Sequence, residues 1–209
     1  MLLASALLLF VFKSCDHLIM DWKIWIAPSV TLFVAFVGFA AKYLNDIKLA
    51  QRRDRLDRIN QQLKFLYGPL YATDQAARTA WLGFRSKYRP EKESYWRSAP
   101  PPTEDEAEAW RLWITQVFMP LNLRLEKIIV ENADLLIEEE MPESLLLLVA
   151  HVSAYKAVLK NWENGNYSEH TSLVNYPWRD VRTYVQASFM NLKQEQARLL
   201  GLLHGKKTA

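Results

Sequence analysis

His151 and Tyr155 stand four residues apart in an apolar stretch with Lys156 beside them, so a helix would carry an imidazole and a phenol on one face. Such a face could line a pocket where a shifted imidazole moves protons. The same spacing also describes a core histidine whose ring bonds a backbone carbonyl, which is how buried polar groups are usually satisfied. Asn122, Glu126 and Glu131 lie on the preceding predicted helix, the first two again i, i+4, and a polar network facing His151 is open to them. Nothing in the spacing requires it. Tyr67 and Tyr71 flank a Gly68-Pro69 break and complete the candidate pocket or interface, since amphipathic aromatics suit partner surfaces as well as cores.

Other chemistries find less support. A metal site on helices would need Glu-x-x-His pairs, and Leu148 occupies the position three before His151. The acidic groups Glu104–Glu108 and Glu138–Glu143 read as a helix N-terminus favoured by its dipole and a solvated helix end. Ser144, Ser153 and Ser188 lack a glycine-flanked nucleophile elbow. Six glycines in 209 residues leave no phosphate-cradling loop, and a single cysteine, Cys15, excludes an intramolecular disulfide framework. The sequence therefore predicts no catalytic residue, no cofactor and no metal ion.

The elements that must position these residues begin with an uncharged run from Ile24 to Ala41, eighteen residues long and just sufficient to cross a bilayer's hydrocarbon core. Trp22 and Trp25 at one end and Tyr43 at the other are placed for the headgroup level, and Phe33, Phe36 and Phe39 for the acyl chains. Pro28 would fall in the first turn, where its missing N–H is tolerated. Residues 1–23 are expected to be retained as an apolar interfacial segment or a poor first span. Eleven apolar residues from Leu2 to Phe12 are too few to cross, and no basic n-region or small-residue cleavage site accompanies them.

Charge gives the expected orientation. From Lys42 to Lys64 there are seven cations against three acids, whereas residues 1–23 balance Lys13 and Lys23 with Asp16 and Asp21. The positive-inside rule then places the C-terminal part in the cytoplasm. Lys42, Lys48, Arg52, Arg53 and Arg55 are candidates for lipid headgroups. Beyond them, residues 65–209 carry 17 basic and 18 acidic side chains, so the formal charge of +3 resides beside the membrane. A nucleic-acid surface would need a basic face on the folded part, and none is expected.

Leu49, Leu56, Leu63 and Leu70 recur every seven residues after the span, with Ile59 and Leu66 between them, a heptad seam over residues 44–67. It can pair with a second copy or close on the protein's own later helices, and fewer than four clean heptads favour the latter. Over residues 68–205 the periodicity predicts a cytoplasmic helical bundle: Leu70 to about Tyr88, a capping box at Thr103 and Glu106 opening a helix that kinks or restarts at Pro120, a helix from Glu143 closed by Gly165, and Trp178 to about His204. Arg89 to Pro102, with four prolines, reads as an extended exposed connection. The expected fold is all-α, with an N-terminal transmembrane helix continuing into a bundle of five to six helices. The divisions fall at residues 1–23, 24–43, 44–67 and 68–205.

The segments Leu66-Tyr67-Gly68-Pro69-Leu70-Tyr71-Ala72, Trp110-Arg111-Leu112-Trp113, Val117-Phe118-Met119-Pro120-Leu121-Asn122 and Ala150-His151-Val152-Ser153-Ala154-Tyr155-Lys156 resemble signatures of a family of bacterial membrane-anchored helical proteins. The resemblance covers most of residues 43–200. It brings no activity with it, so no functional residue is carried over. The expected function is a single-pass module at the bacterial inner membrane whose partners are membrane lipid and a protein, either another protein or a second copy. Two alternatives differ in class: a membrane-acting effector such as a stress or phage-defence toxin, and a helical enzyme with a non-linear site around His151.

Overall fold

A computed structural model describes the backbone of residues 2–202 and the side chains of residues 25–202. The chain divides into two compact units, residues 1–54 and 55–209. The side chains of Trp22 and Cys15 lie outside the described residues, as do the expected helical residues Leu203 and His204.

The first unit is helical over its described residues, formed by most of α1 (Leu2–Gln61), with Pro28 inside the helix rather than in its first turn. From Trp25 onward its apolar side chains are exposed on every side, Phe33, Phe36 and Phe39 each to 68–69 %. Among the described residues this is the one helix long and apolar enough to cross a membrane.

In the second unit, α1 passes at Gln62 into a π-helical turn (Gln62–Tyr67) and then directly into α2 (Gly68–Lys87). A proline has no N–H, and its ring crowds the carbonyl four residues back. The wider turn upstream of Pro69 relieves that conflict by shifting the hydrogen bonds to five residues back, as from the Gly68 N–H to the Leu63 carbonyl. Gly68 is required there, because a Cβ would lie 2.3 Å from the Leu63 oxygen. The same device recurs at Pro120: α3 (Glu104–Trp113) runs through a π turn (Ile114–Phe118) into α4 (Met119–Glu131), with the Met119 N–H on the Ile114 carbonyl. A 3-10 turn (Ala133–Leu135), α5 (Glu143–Glu163) and α6 (Trp178–Leu199) complete the chain.

The described residues are thus all-helical, without a strand, in four continuous helical runs. The five to six helices read from the sequence become four because the π turns absorb both proline breaks.

Helix α2 packs on α4 and α6, and α5 packs on α4 and α6. Leu66, Tyr67, Leu70, Phe84, Leu125, Ile129, Leu145, Leu148, Val152, Val181 and Val185 are fully buried between them. The heptad seam closes on this core: Ile59, Leu66 and Leu70 are buried and Leu63 packs against them. Upstream the same seam reads Arg52, Asn45 and Lys42, with Leu49 exposed.

The connection at 88–102 differs from the extended exposed segment expected of its prolines. Arg89, at φ 57°, buries its guanidinium and donates to Glu106 Oε2 at 2.9 Å and to the Ser98 and Pro100 carbonyls. Arg85 donates to the Arg89 and Lys92 carbonyls. Tyr95 is buried with its ring 4.8 Å from Trp110, and its hydroxyl donates to the Glu106 carbonyl. Charged donors satisfying loop carbonyls, and aromatic area, fold a segment that has no periodicity of its own. The capping box at Thr103 and Glu106 forms in both directions. Gly165, at φ 75°, follows the end of α5.

Candidate functional site

His151 lies buried on α5, and its Nδ1–H donates to the Val174 carbonyl at 2.6 Å. A carbonyl only accepts, so Nδ1 carries a proton and donates it to Val174. Burial holds its pKa below the usual imidazole value, against the opposing pull of the Val174 bond. Tyr155, one turn on, donates to the His170 carbonyl at 2.7 Å, and burial raises its pKa. Two indoles act on the same loop: Trp110 Nε1 donates to the His170 carbonyl at 3.1 Å and Trp162 Nε1 to the Glu169 carbonyl at 2.7 Å. Ser172 Oγ returns a bond to the His151 carbonyl. The His170 ring lies 4.0 Å from Trp96 and beside Arg111, and burial first, then that cation, lower its pKa. These contacts clasp residues 169–174 onto α3 and α5, four buried donors each meeting a loop carbonyl. Sequence periodicity gives no signal for this arrangement because every acceptor is backbone.

None of the described contacts joins Asn122, Glu126 or Glu131, which were open to a network there, to the His151 ring. Glu126 accepts from Ser153 Oγ at 3.1 Å and from Lys156 Nζ at 3.0 Å. Asn122 is half-buried, and the exposed Glu131 pairs loosely with Lys127 at 3.9 Å. Glu126 and Lys156 form a rim ion pair of the kind worth only a few tenths of a kcal/mol up to about 1 kcal/mol.

Tyr67 and Tyr71 also face apart. The Ile137 N–H donates to Tyr67 OH at 3.2 Å, and Tyr184 OH donates to Glu138 Oε2 at 2.8 Å. Tyr184 has one proton, so the 2.8 Å bond between the two hydroxyls runs from Tyr67 to Tyr184. This one-way chain ties residues 137–138 to α6 and to the first π turn. Tyr71 stacks on Phe189 with ring centroids 4.5 Å apart.

Sequence reasoning missed a buried charge pair between α2 and α6. Asp74 is 2 % exposed, and its Oδ2 lies 3.5 Å from Arg182 Nε, both atoms without a hydrogen bond. Burial raises the Asp74 pKa while Arg182 pulls it down. Asp74 lies four residues after the buried Leu70, on the apolar face of α2. That position was its only sequence signal.

The anchor candidates Trp25, Phe33, Phe36, Phe39 and Tyr43 are exposed, as are Lys42, Lys48, Arg52 and Arg53. Arg55 differs, because its Nε pairs with Glu195 at 2.8 Å on α6. Arg58 donates to the Asp134 carbonyl and Gln62 Nε2 to the Leu135 carbonyl at 3.0 Å, so this end of α1 belongs to the folded unit's packing.

The polar centres of the second unit are therefore tied to its own backbone and side chains, and the exposed, chemically distinctive surface is α1 from Trp25 to Arg53. No protein-family model, no curated protein and no solved structure matches the chain.

Proposed function

We propose that the protein is a membrane-anchored module whose second unit, a bundle of packed helices, lies in the cytoplasm at a bacterial inner membrane and acts by binding a protein partner, whether another protein or a second copy. The observation that carries this reading is the exposure, on every side, of the apolar side chains of α1 between Trp25 and Phe39. A helix apolar all round needs an apolar surround, and lipid supplies one. Arg55 and Arg58, committed to Glu195 and the Asp134 carbonyl, support an anchored domain with a defined start. Leu123 and Val130 on α4 and Leu146 on α5 are exposed apolar positions from which a helical surface could be presented.

Cell fractionation tests it. The full chain is expected in the membrane pellet, resistant to carbonate and released by detergent, with a C-terminal tag protected from protease added outside spheroplasts. Deleting residues 25–41 should move it to the supernatant. A full chain that stays soluble without detergent, or a tag digested from outside, defeats the proposal.

A further inference from the structure

The exposed cations that follow the span are arranged, not scattered. Lys48 and Arg52 stand at i, i+4, and Arg55 continues their row at i+7, whereas Asp46, Asp54 and Asp57 fall on other sides of α1, Asp46 nearly opposite Lys48 at 100° per residue. Lys42 and Arg53 each have an acid four residues on, Asp46 and Asp57, which partly offsets their charge. Lys48 has Leu44 and Arg52 at those spacings, so its charge is not offset.

From these positions we infer that the stretch from Lys42 to Arg53 is a docking surface for the anionic phospholipid of one leaflet, with Lys42 and Lys48 carrying most of the attraction. The inference rests on the anchored reading above. Each headgroup layer is roughly 5–8 Å deep outside the hydrocarbon core. With about 1.5 Å of rise per residue, Lys42 enters that layer directly after Ala41, and Lys48 stands roughly 10 Å beyond Ala41, within a Debye length of roughly 8–10 Å of the charged surface. Arg52 and Arg53, roughly 17–18 Å on, feel the weaker outer field. A tilt of about 20°, usual for such helices, lowers the Lys48–Arg52 side toward the headgroups and lifts Asp46 away from them. The partner is thus a negatively charged bilayer surface, and the acids opposite Lys48 set which side of α1 faces it.

Electron spin resonance of the full chain reconstituted in phosphatidylcholine, with spin-labelled phosphatidylglycerol or phosphatidylcholine as probe, reads this preference. The chain should restrict the phosphatidylglycerol label about two- to threefold more than the neutral one at low salt, falling to near parity at about 0.5 M KCl. Lys42→Gln with Lys48→Gln should remove most of the preference. Lys127→Gln with Lys160→Gln, which deletes the same charge from exposed helical positions elsewhere, should leave it intact. Equal restriction of both labels at low salt, or equal loss in the two double variants, overturns the inference while leaving the anchor standing. If neither label is restricted at all, the anchored reading itself has failed.

Discussion

At the scale of single residues, two glycines on continuous helix make opposite predictions. Gly68 sits where a Cβ would meet the Leu63 carbonyl oxygen at 2.3 Å, and Gly83 on α2 has nothing within 4 Å of that position. Gly68→Ala should lower the stability of the detergent-solubilised chain by about 1–3 kcal/mol, because backbone must move. Gly83→Ala should raise it by about 0.5–1 kcal/mol by removing freedom from the unfolded chain. Urea unfolding followed by circular dichroism reads both, and equal signs would refute the account of the π turn. His151 supplies the pH dependence. Its folded pKa lies below the ordinary imidazole value of about 6.5, so below that pH the unfolded chain binds more protons than the folded one. Stability is therefore full above pH 6.5 and falls as pH drops through that value toward the folded pKa, with His170 adding in the same direction. His151→Gln, whose amide can still donate to the Val174 carbonyl, should flatten the fall in unfolding midpoint between about pH 7.5 and 5.5. An unchanged slope would show that His151 is not the group responsible. Its pairing with a backbone carbonyl was one of two readings open to the sequence, and the network with Asn122 and Glu126 was not formed because Lys156 and Ser153 take Glu126.

Among elements, helix periodicity carried the sequence reading a long way, since one apolar face per helix is what packing requires. The capping box at Thr103, the stop near Gly165 and the start at Glu143 are all where side-chain chemistry put them. Periodicity is blind to long-range pairing, and that is where the reading stopped. The connection at 88–102 has prolines that say loop, but its fold comes from Tyr95 meeting Trp110 and from Arg89 reaching Glu106, Ser98 and Pro100. Arg89→Ala should leave those loop carbonyls without their charged donor, and trypsin should then cut at exposed Arg97 faster than in the parent chain. Cleavage at an unchanged rate would mean that the aromatic contacts alone hold the segment. The α2–α6 contact carries a second such pairing. Asp74→Leu alone strands the Arg182 guanidinium and should cost about 3 kcal/mol. Adding Arg182→Met should recover most of that loss, since a buried ion pair with unsatisfied atoms is readily replaced by apolar packing. A double variant no more stable than the single one would show that the pair stabilises the contact.

For the whole molecule, the decisive comparison is between a helix that needs lipid and one that needs protein. Both kinds are apolar and long, so the eighteen-residue run from Ile24 to Ala41 could not distinguish them by length alone. Burial separates α1 from a core helix of this chain: a core helix hides its side chains, whereas Phe33, Phe36 and Phe39 are each 68–69 % exposed. The heptad seam shows the contrast along one continuous helical run, because Ile59, Leu66 and Leu70 are buried in the second unit while Leu49 remains uncovered. Phe36→Arg places a cation near the middle of the run, where translocon insertion is disfavoured by about 2.5–3.5 kcal/mol. If α1 spans a bilayer, the membrane-bound fraction should fall several-fold, and Phe36→Ala should barely change it. Phe65→Arg, at an exposed position of the second unit, should leave the bound fraction intact, because a surface cation there never meets hydrocarbon. Were Phe36→Arg to leave the bound fraction unchanged, the exposed aromatics of α1 would have to be covered by protein instead of lipid, and the anchor would be lost from the account.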